Sequence, residues 1–357
     1  MMTMKQRMLA MLRGDGMDRV PFVQYDGIGG PNEEIWKAIG RGNMGLLRWC
    51  SPVRVDRPNC RFESRQITRN GRPAWQNTLV TPAGRLTEVR EAVPGMPGVT
   101  TPVEHYVKTP DDYRALAACM RDAVVVEDVG AVENAWRDLG EAGLPHVAIQ
   151  RTPFQQLWIE WASIADLSMH LADAPAAVDE CADLMGQVLL KSAEAALAAA
   201  DKVPIPYLVI PDNITAPLIG QKRFGKYCLP YYRKVADLLA EKDIPAAVHM
   251  DGDLKPLWQA IGQSGVSIID SLSPPPDNDT SAADAVSMWP QMRLMVNFPS
   301  SVHLADAREV YRTAMEILRQ AGHTGRLWIQ ISENAPPGAW KTNYPAIVRA
   351  IEDFGAP

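Results

Sequence analysis

Apolar residues in this chain fall into short continuous runs separated by longer amphipathic stretches. The runs are residues 20–26 (VPFVQYD), 146–150 (HVAIQ), 207–213 (YLVIPDN), 246–251 (AAVHMD), 267–270 (SIID), 293–297 (RLMVN) and 327–333 (LWIQISE), and nearly all end on an acid or an amide. Unbroken hydrophobicity, as opposed to alternation, is what a strand covered on both faces requires, and it predicts a parallel sheet. Residues 175–200, 223–242 and 307–321 carry apolar positions at helical spacing, and Met4, Met8, Leu9 and Leu12 share one face of an opening helix that Arg13-Gly14-Asp15-Gly16 stops. Strand and helix therefore alternate, with polar residues gathered where the strands end. Both a TIM barrel and an open doubly wound sheet show that arrangement. No glycine-rich phosphate loop follows any strand, which favours an α/β fold closed as a distorted (β/α)8 TIM barrel. Seven strands are clear, and the eighth is expected at 124–126 or within 50–95.

The region from 50 to 95 differs in kind. Residues 78–90 (TLVTPAGRLTEVR) hold two short runs around a Pro-x-Gly turn, which predicts an inserted antiparallel β-hairpin. Without repeats or low-complexity tracts, one domain spanning 1–357 is expected, with an excursion at about 50–95.

Charge narrows the partners. With 42 acidic against 36 basic residues the net charge is −6, so no basic field attracts nucleic acid. No apolar run approaches the roughly 20 residues that span a bilayer, so no membrane association is expected. The five cysteines are odd in number and scattered, which suits a reducing, cytoplasmic setting.

The sharpest chemical feature is His249-Met250-Asp251-Gly252, at the end of a buried strand. Side chains at i and i+2 point the same way, so His249 and Asp251 both face the barrel mouth, because a charged Asp avoids the apolar helix layer. Asp212-Asn213 and Glu333-Asn334 end two other strands, with Asp26, Asp270 and Asn297 as further candidates. Any one of them also suits a helix N-cap. Several carboxylates converging on one mouth require a cation among them, whether a metal, an arginine such as Arg151, or a charged substrate. Trp158 stands near the same segments, where its ring has the shape to stack on a flat substrate.

Taken in order, these segments give the chain a resemblance to the uroporphyrinogen decarboxylase superfamily, which includes corrinoid-linked methyltransferases. The resemblance rests on the opening helix followed by Met17-Asp18-Arg19-Val20-Pro21-Phe22, on Val107-Lys108-Thr109-Pro110-Asp111-Asp112-Tyr113, on 224–234 leading into the His249 strand, and on Glu333-Asn334-Ala335-Pro336-Pro337. It implies a single barrel with its site in the mouth, and a homodimer. In the methyltransferase branch zinc is held by a His-x-Cys pair and a later Cys. Here the matching positions read His249, Asp251 and Glu333, so the resemblance implies a Zn²⁺ site with carboxylates in place of both thiolates, a stronger Lewis acid. The decarboxylase branch binds its tetrapyrrole through an Arg-x-x-Gly-Arg-Tyr-like segment after the first strand. This chain has Tyr25-Asp26-Gly27-Ile28-Gly29-Gly30 there, so porphyrinogen is not the expected substrate.

The expected activity is methyl transfer or O-demethylation between a small molecule and a corrinoid on a partner protein, with His249, Asp251 and Asp212 in catalysis. Tyr25, Asp26, Arg151, Trp158, Asn213 and Asn297 would bind substrate. The alternatives are a metal-free decarboxylase, with Asp212 or Asp251 steadying a cationic intermediate and His249 moving protons, and a non-catalytic binding barrel.

Overall fold

The computed structural model describes residues 2–95, 98–333 and 335–357, so Asn334 lies outside the described residues. Eight parallel strands close into a barrel: β1 Phe22–Tyr25, β2 Gly45–Cys50, β3 Gly143–Ala148, β4 Leu208–Ile210, β5 Ala246–His249, β6 Ile268–Leu272, β7 Arg293–Asn297 and β8 Leu327–Ile331. Each pairs with its neighbours in sequence order around the ring, and β1 closes it by pairing with β8 (Val23 beside Gln330) and β2 (Val23 beside Gly45). The barrel expectation holds, with two corrections of placement.

The first concerns the eighth strand, which is Gly45–Cys50 and falls at neither expected position. Its hydrophobic run is broken by Arg48, whose guanidinium faces away from the barrel to Asp26 and Asp138. A buried strand carrying a paired outward charge does not look buried in sequence. Residues 124–126 belong instead to Val124–Glu127, paired antiparallel with Val53–Asp56. The second correction is that β3 begins at Gly143, ahead of the expected run, which moves His146 from the start of the strand to its interior.

The opening helix α1 (Met4–Arg13) starts on a capping box between Thr3 and Gln6 and stops at Gly14 in the left-handed region. Its buried Met4, Met8, Met11 and Leu12 form one apolar cluster with the inward residues Leu47, Leu144, Tyr207, Val209, Ala247, Ile268, Met295 and Trp328. Met, unbranched and flexible, fits the irregular gap where a helix meets eight converging strands. The same helix buries Arg7, whose Nε and Nη2 donate to Asp18 at 2.5 and 3.0 Å and hold that carboxyl below its usual range. The expected helix over 223–242 is two helices, Ala216–Tyr227 and Leu229–Ala240, divided at Cys228, with Pro230 in the first turn of the second.

By contacts the chain divides into two units, the barrel with its helices (2–52, 128–149 and 196–357) and a second made of 53–127 and 150–195. In the second unit the expected hairpin is present, Arg72–Thr81 with Gly84–Ala92, as the centre of a four-stranded antiparallel sheet completed by Arg61–Arg69 and Thr100–Glu104. Among the described residues no helix is long and apolar enough to cross a membrane.

Candidate functional site

Strand register assembles a polar layer inside the barrel, above the apolar cluster. His249 on β5 lies directly beside Asp270 on β6, and the ladder continues past the strand end through Met250 N–H to the Asp270 carbonyl, 2.8 Å. Across the barrel, Trp49 on β2 lies beside His146 on β3, and Asn297 on β7 beside Gln330 on β8. Parallel pairing thus fixes which functional side chains become neighbours before any of them interact.

Asp270, fully buried, is the hub of this layer. Its Oδ2 accepts from Tyr25 Oη at 3.0 Å and stands 3.1 Å from His249 Nδ1 and 3.4 Å from His146 Nε2, the last outside hydrogen-bonding geometry. Its Oδ1 accepts from Gln330 Nε2 at 3.0 Å. Ser271, the next residue, also takes a bond from Gln330 Nε2, at 2.8 Å. Consecutive strand residues ordinarily face opposite sides. Here β6 shifts register against β7 between Ile269 and Leu272, and Ser271 has φ 61°, so a bulge turns both side chains toward the layer. A non-glycine residue in the left-handed region beside the hub is the kind of strain that functional sites retain.

His249 is held between two carboxylates. Nδ1 faces Asp270, and Nε2 lies 3.5 Å from Oδ2 of Asp251, which itself accepts from Asn213 Nδ2 at 2.9 Å. Burial favours the neutral imidazole, but the bonds to Asp251 and Asp270 outweigh it and raise the His249 pKa to about 10. Burial likewise opposes the Asp270 charge, yet His146 and His249 hold its carboxyl well below the usual range. Burial and the Asp270 charge push the Tyr25 hydroxyl well above its ordinary pKa, so it stays a neutral donor. Near neutral pH the pair is imidazolium and carboxylate. Gly252 lets the strand end come this close, since a Cβ there would stand 2.2 Å from the Thr215 Cβ.

The structure therefore brings together Tyr25, His249, Asp251 and Asn213 from the expected set. Asp212 is buried and accepts from Tyr232 Oη at 2.5 Å. Asn297 accepts from Ser332 and donates to Ser273. Asp26 turns to Arg48 and Asn32, at 2.7 and 2.6 Å. Arg151 and Trp158 belong to the second unit, where Arg151 Nε lies 3.5 Å from Glu160 and Trp158 Nε1 donates to Gln155.

The zinc trio is not assembled. Glu333 accepts from Ser300 Oγ at 2.6 Å, and both ring nitrogens of His249 face carboxylates. Among the described residues no three His, Cys, Asp or Glu side chains are grouped to hold an ion. His249, Asp251 and Glu333 are thus not grouped as the expected site would have them.

His146, Gln330 and Trp49 escaped sequence reasoning. His146 is fully buried, bonded to Tyr207 Oη at 2.8 Å, and its ring centroid lies 4.2 Å from that of Trp49. Trp49 also packs edge-on to Tyr25, yet stays 43% exposed, an aromatic wall left open beside a buried polar layer. The alternation Leu144, His146, Ala148 is the signal that places His146 on the inward face.

A methyltransferase from Methanosarcina mazei has a similar structure over 99% of both chains, at 14% identity and a TM-score of 0.59. A B12-independent methionine synthase from Shewanella sp. aligns over 64% of this chain and 68% of its own, at 14% identity and a TM-score of 0.44. No curated protein sequence matches the chain. Residues 103–354, more than two thirds of the chain, match the sequence profile described as uroporphyrinogen decarboxylase (URO-D). By that match over more than half of its length, the chain belongs to the uroporphyrinogen decarboxylase family.

Proposed function

We propose that the protein is an enzyme that removes a methyl group from a heteroatom of a small, flat substrate, with His249 as the acid that protonates the leaving heteroatom. The observation that carries this reading is the placement of His249 between Asp270 and Asp251, 3.1 and 3.5 Å from its two ring nitrogens. When the carbon–heteroatom bond breaks, its electron pair stays on the heteroatom, which takes the Nε2 proton, and the methyl group passes to the acceptor. A corrinoid on a separate protein is the acceptor we propose. Neutral His249 then regains its proton through Asp251, whose side chain is 22% exposed. Asp270 and Tyr25 stay in place and keep the ring oriented, which is the role of a fixed partner in general acid catalysis. The exposed Trp49 ring offers the substrate a flat wall.

The end-to-end likeness to a methyltransferase supports methyl transfer over other uses of the same acid. A second reading, decarboxylation, is supported by the family's description, and there the same proton would go to the carbanion left as carbon dioxide departs. The test is to incubate the protein with free cob(I)alamin and a panel of methoxybenzoates, recording the corrinoid absorbance and the aromatic products. Hydroxybenzoate formation at a rate insensitive to chelator supports the proposal. Carbon dioxide release without methyl loss would move the assignment to the second reading, and loss of activity on chelation would overturn the acid-only mechanism.

A further inference from the structure

The end of the barrel opposite the polar layer holds a cavity of about 830 Å³, within the size range of small-molecule sites. It lies between α1, the helix Gly130–Leu139, and the segments that lead into β4 and β5. Its walls are apolar: Leu9 and Leu12 of α1, Trp136, Ile205 and Ile244. The Trp136 ring is fixed, because its Nε1–H donates to the Pro204 carbonyl at 2.8 Å. Around these walls stand four cations, Lys5, Arg13, Lys202 and Lys242, against two acids, Glu133 and Asp243. That balance reverses the chain as a whole, where acids outnumber bases 42 to 36.

Three of the cations, Lys5, Lys202 and Lys242, are partly committed. Lys242 Nζ donates to Asp201 at 2.6 Å and to the Leu197 carbonyl at 2.9 Å, and Lys5 Nζ lies 3.6 Å from Glu141 and 5.0 Å from the centre of the Trp136 ring. Arg13 is exposed and makes no hydrogen bond or ion pair among the described residues. An apolar wall with a guanidinium at its rim matches a molecule with an apolar body and one anionic end. Leu12 joins this cavity to the core, since its side chain also belongs to the apolar cluster that α1 closes.

We infer that this cavity is a second binding site, separate from the site in the barrel mouth, and that it takes an amphipathic carboxylate. The apolar body lies against Trp136, Leu9 and Ile205, and the carboxylate meets Arg13, with Lys202 adding to the field. The inference does not depend on the reaction proposed for the mouth. Isothermal titration of the full chain tests it, with decanoate as the probe, acetate as the control without a chain, and decyltrimethylammonium as the control of opposite charge. Decanoate is expected to saturate a single site, whereas neither control saturates. Arg13→Glu and Lys202→Glu, both exposed positions, are expected to keep the wild-type thermal midpoint and weaken decanoate binding at least about tenfold in combination. Failure of decanoate to saturate, equal binding of the cationic analogue, or an unchanged affinity in the folded double variant would each overturn the inference.

Discussion

His249 and His303 are both buried in the barrel unit, 8% and 5% exposed, and they end in opposite protonation states. His303 sits in the short helix Ser300–Leu304 after β7, its ring 5.2 Å from that of Phe298, and Asn343 Nδ2 donates to its Nδ1 at 3.1 Å. Burial prevails there and lowers its pKa to about 4, against a weaker pull upward from Asp277. His249 suffers the same desolvation, but two carboxylates reach its ring nitrogens and carry the pKa to about 10. Burial alone makes a histidine a neutral packing residue. Register, by setting Asp270 beside it, makes His249 a stored proton.

The change that should break this contrast most severely is Asp270→Asn. It leaves His249 and Tyr25 without their shared anion, and removing one partner of a buried charged pair costs about 3–5 kcal/mol. Chemical denaturation is expected to show a loss of that order, with the His249 pKa falling below its wild-type value. His249→Gln keeps a polar side chain and removes the acid. Turnover is expected to fall by about 10²–10⁴ in kcat, the usual range for a lost general acid, while circular dichroism stays unchanged. The reciprocal change, His303→Gln, is expected to leave kcat within about twofold of wild type, since nothing in its surroundings stores a proton.

Gly252→Ala is a smaller perturbation from the backbone side. Its Cβ meets Thr215, so the loop carrying Asp251 must shift, at a cost of about 1–3 kcal/mol as for other overpacked sites. The pH dependence of stability offers a gentler test in both directions. His303, whose folded pKa is depressed, contributes stability that is present above its unfolded value near 6.5 and is lost as pH falls toward about 4. His249, whose folded pKa is raised, contributes stability that is full below about 6.5 and is lost as pH rises through about 10. His303→Gln should flatten the acid limb of the urea midpoint against pH, and His249→Gln the alkaline limb.

The same physics explains what the sequence made legible. Seven barrel strands stood out because their hydrophobicity is continuous, and the eighth was hidden by Arg48, an outward charge satisfied by Asp26 and Asp138. His249 and Asp251 were legible because they end a strand two residues apart. Asp270 appeared only as one strand-end acid among several, because its role as hub depends on the β5–β6 register and on the bulge at Ser271. His146 and Gln330 were missed for a related reason. They lie within strands, where a polar residue shows its purpose only once the ring has closed. Glu333 was legible only through family resemblance, and in the structure its carboxylate accepts a hydrogen bond from Ser300.

The central claim is that His249 is an imidazolium near neutral pH. The most direct measurement is the nitrogen NMR spectrum of ¹⁵N-histidine-labelled protein, with His249→Gln used to assign its resonances. The account predicts that both ring nitrogens of His249 carry protons at pH 8 and titrate near pH 10. A neutral ring at pH 8, with one protonated and one bare nitrogen, would contradict it.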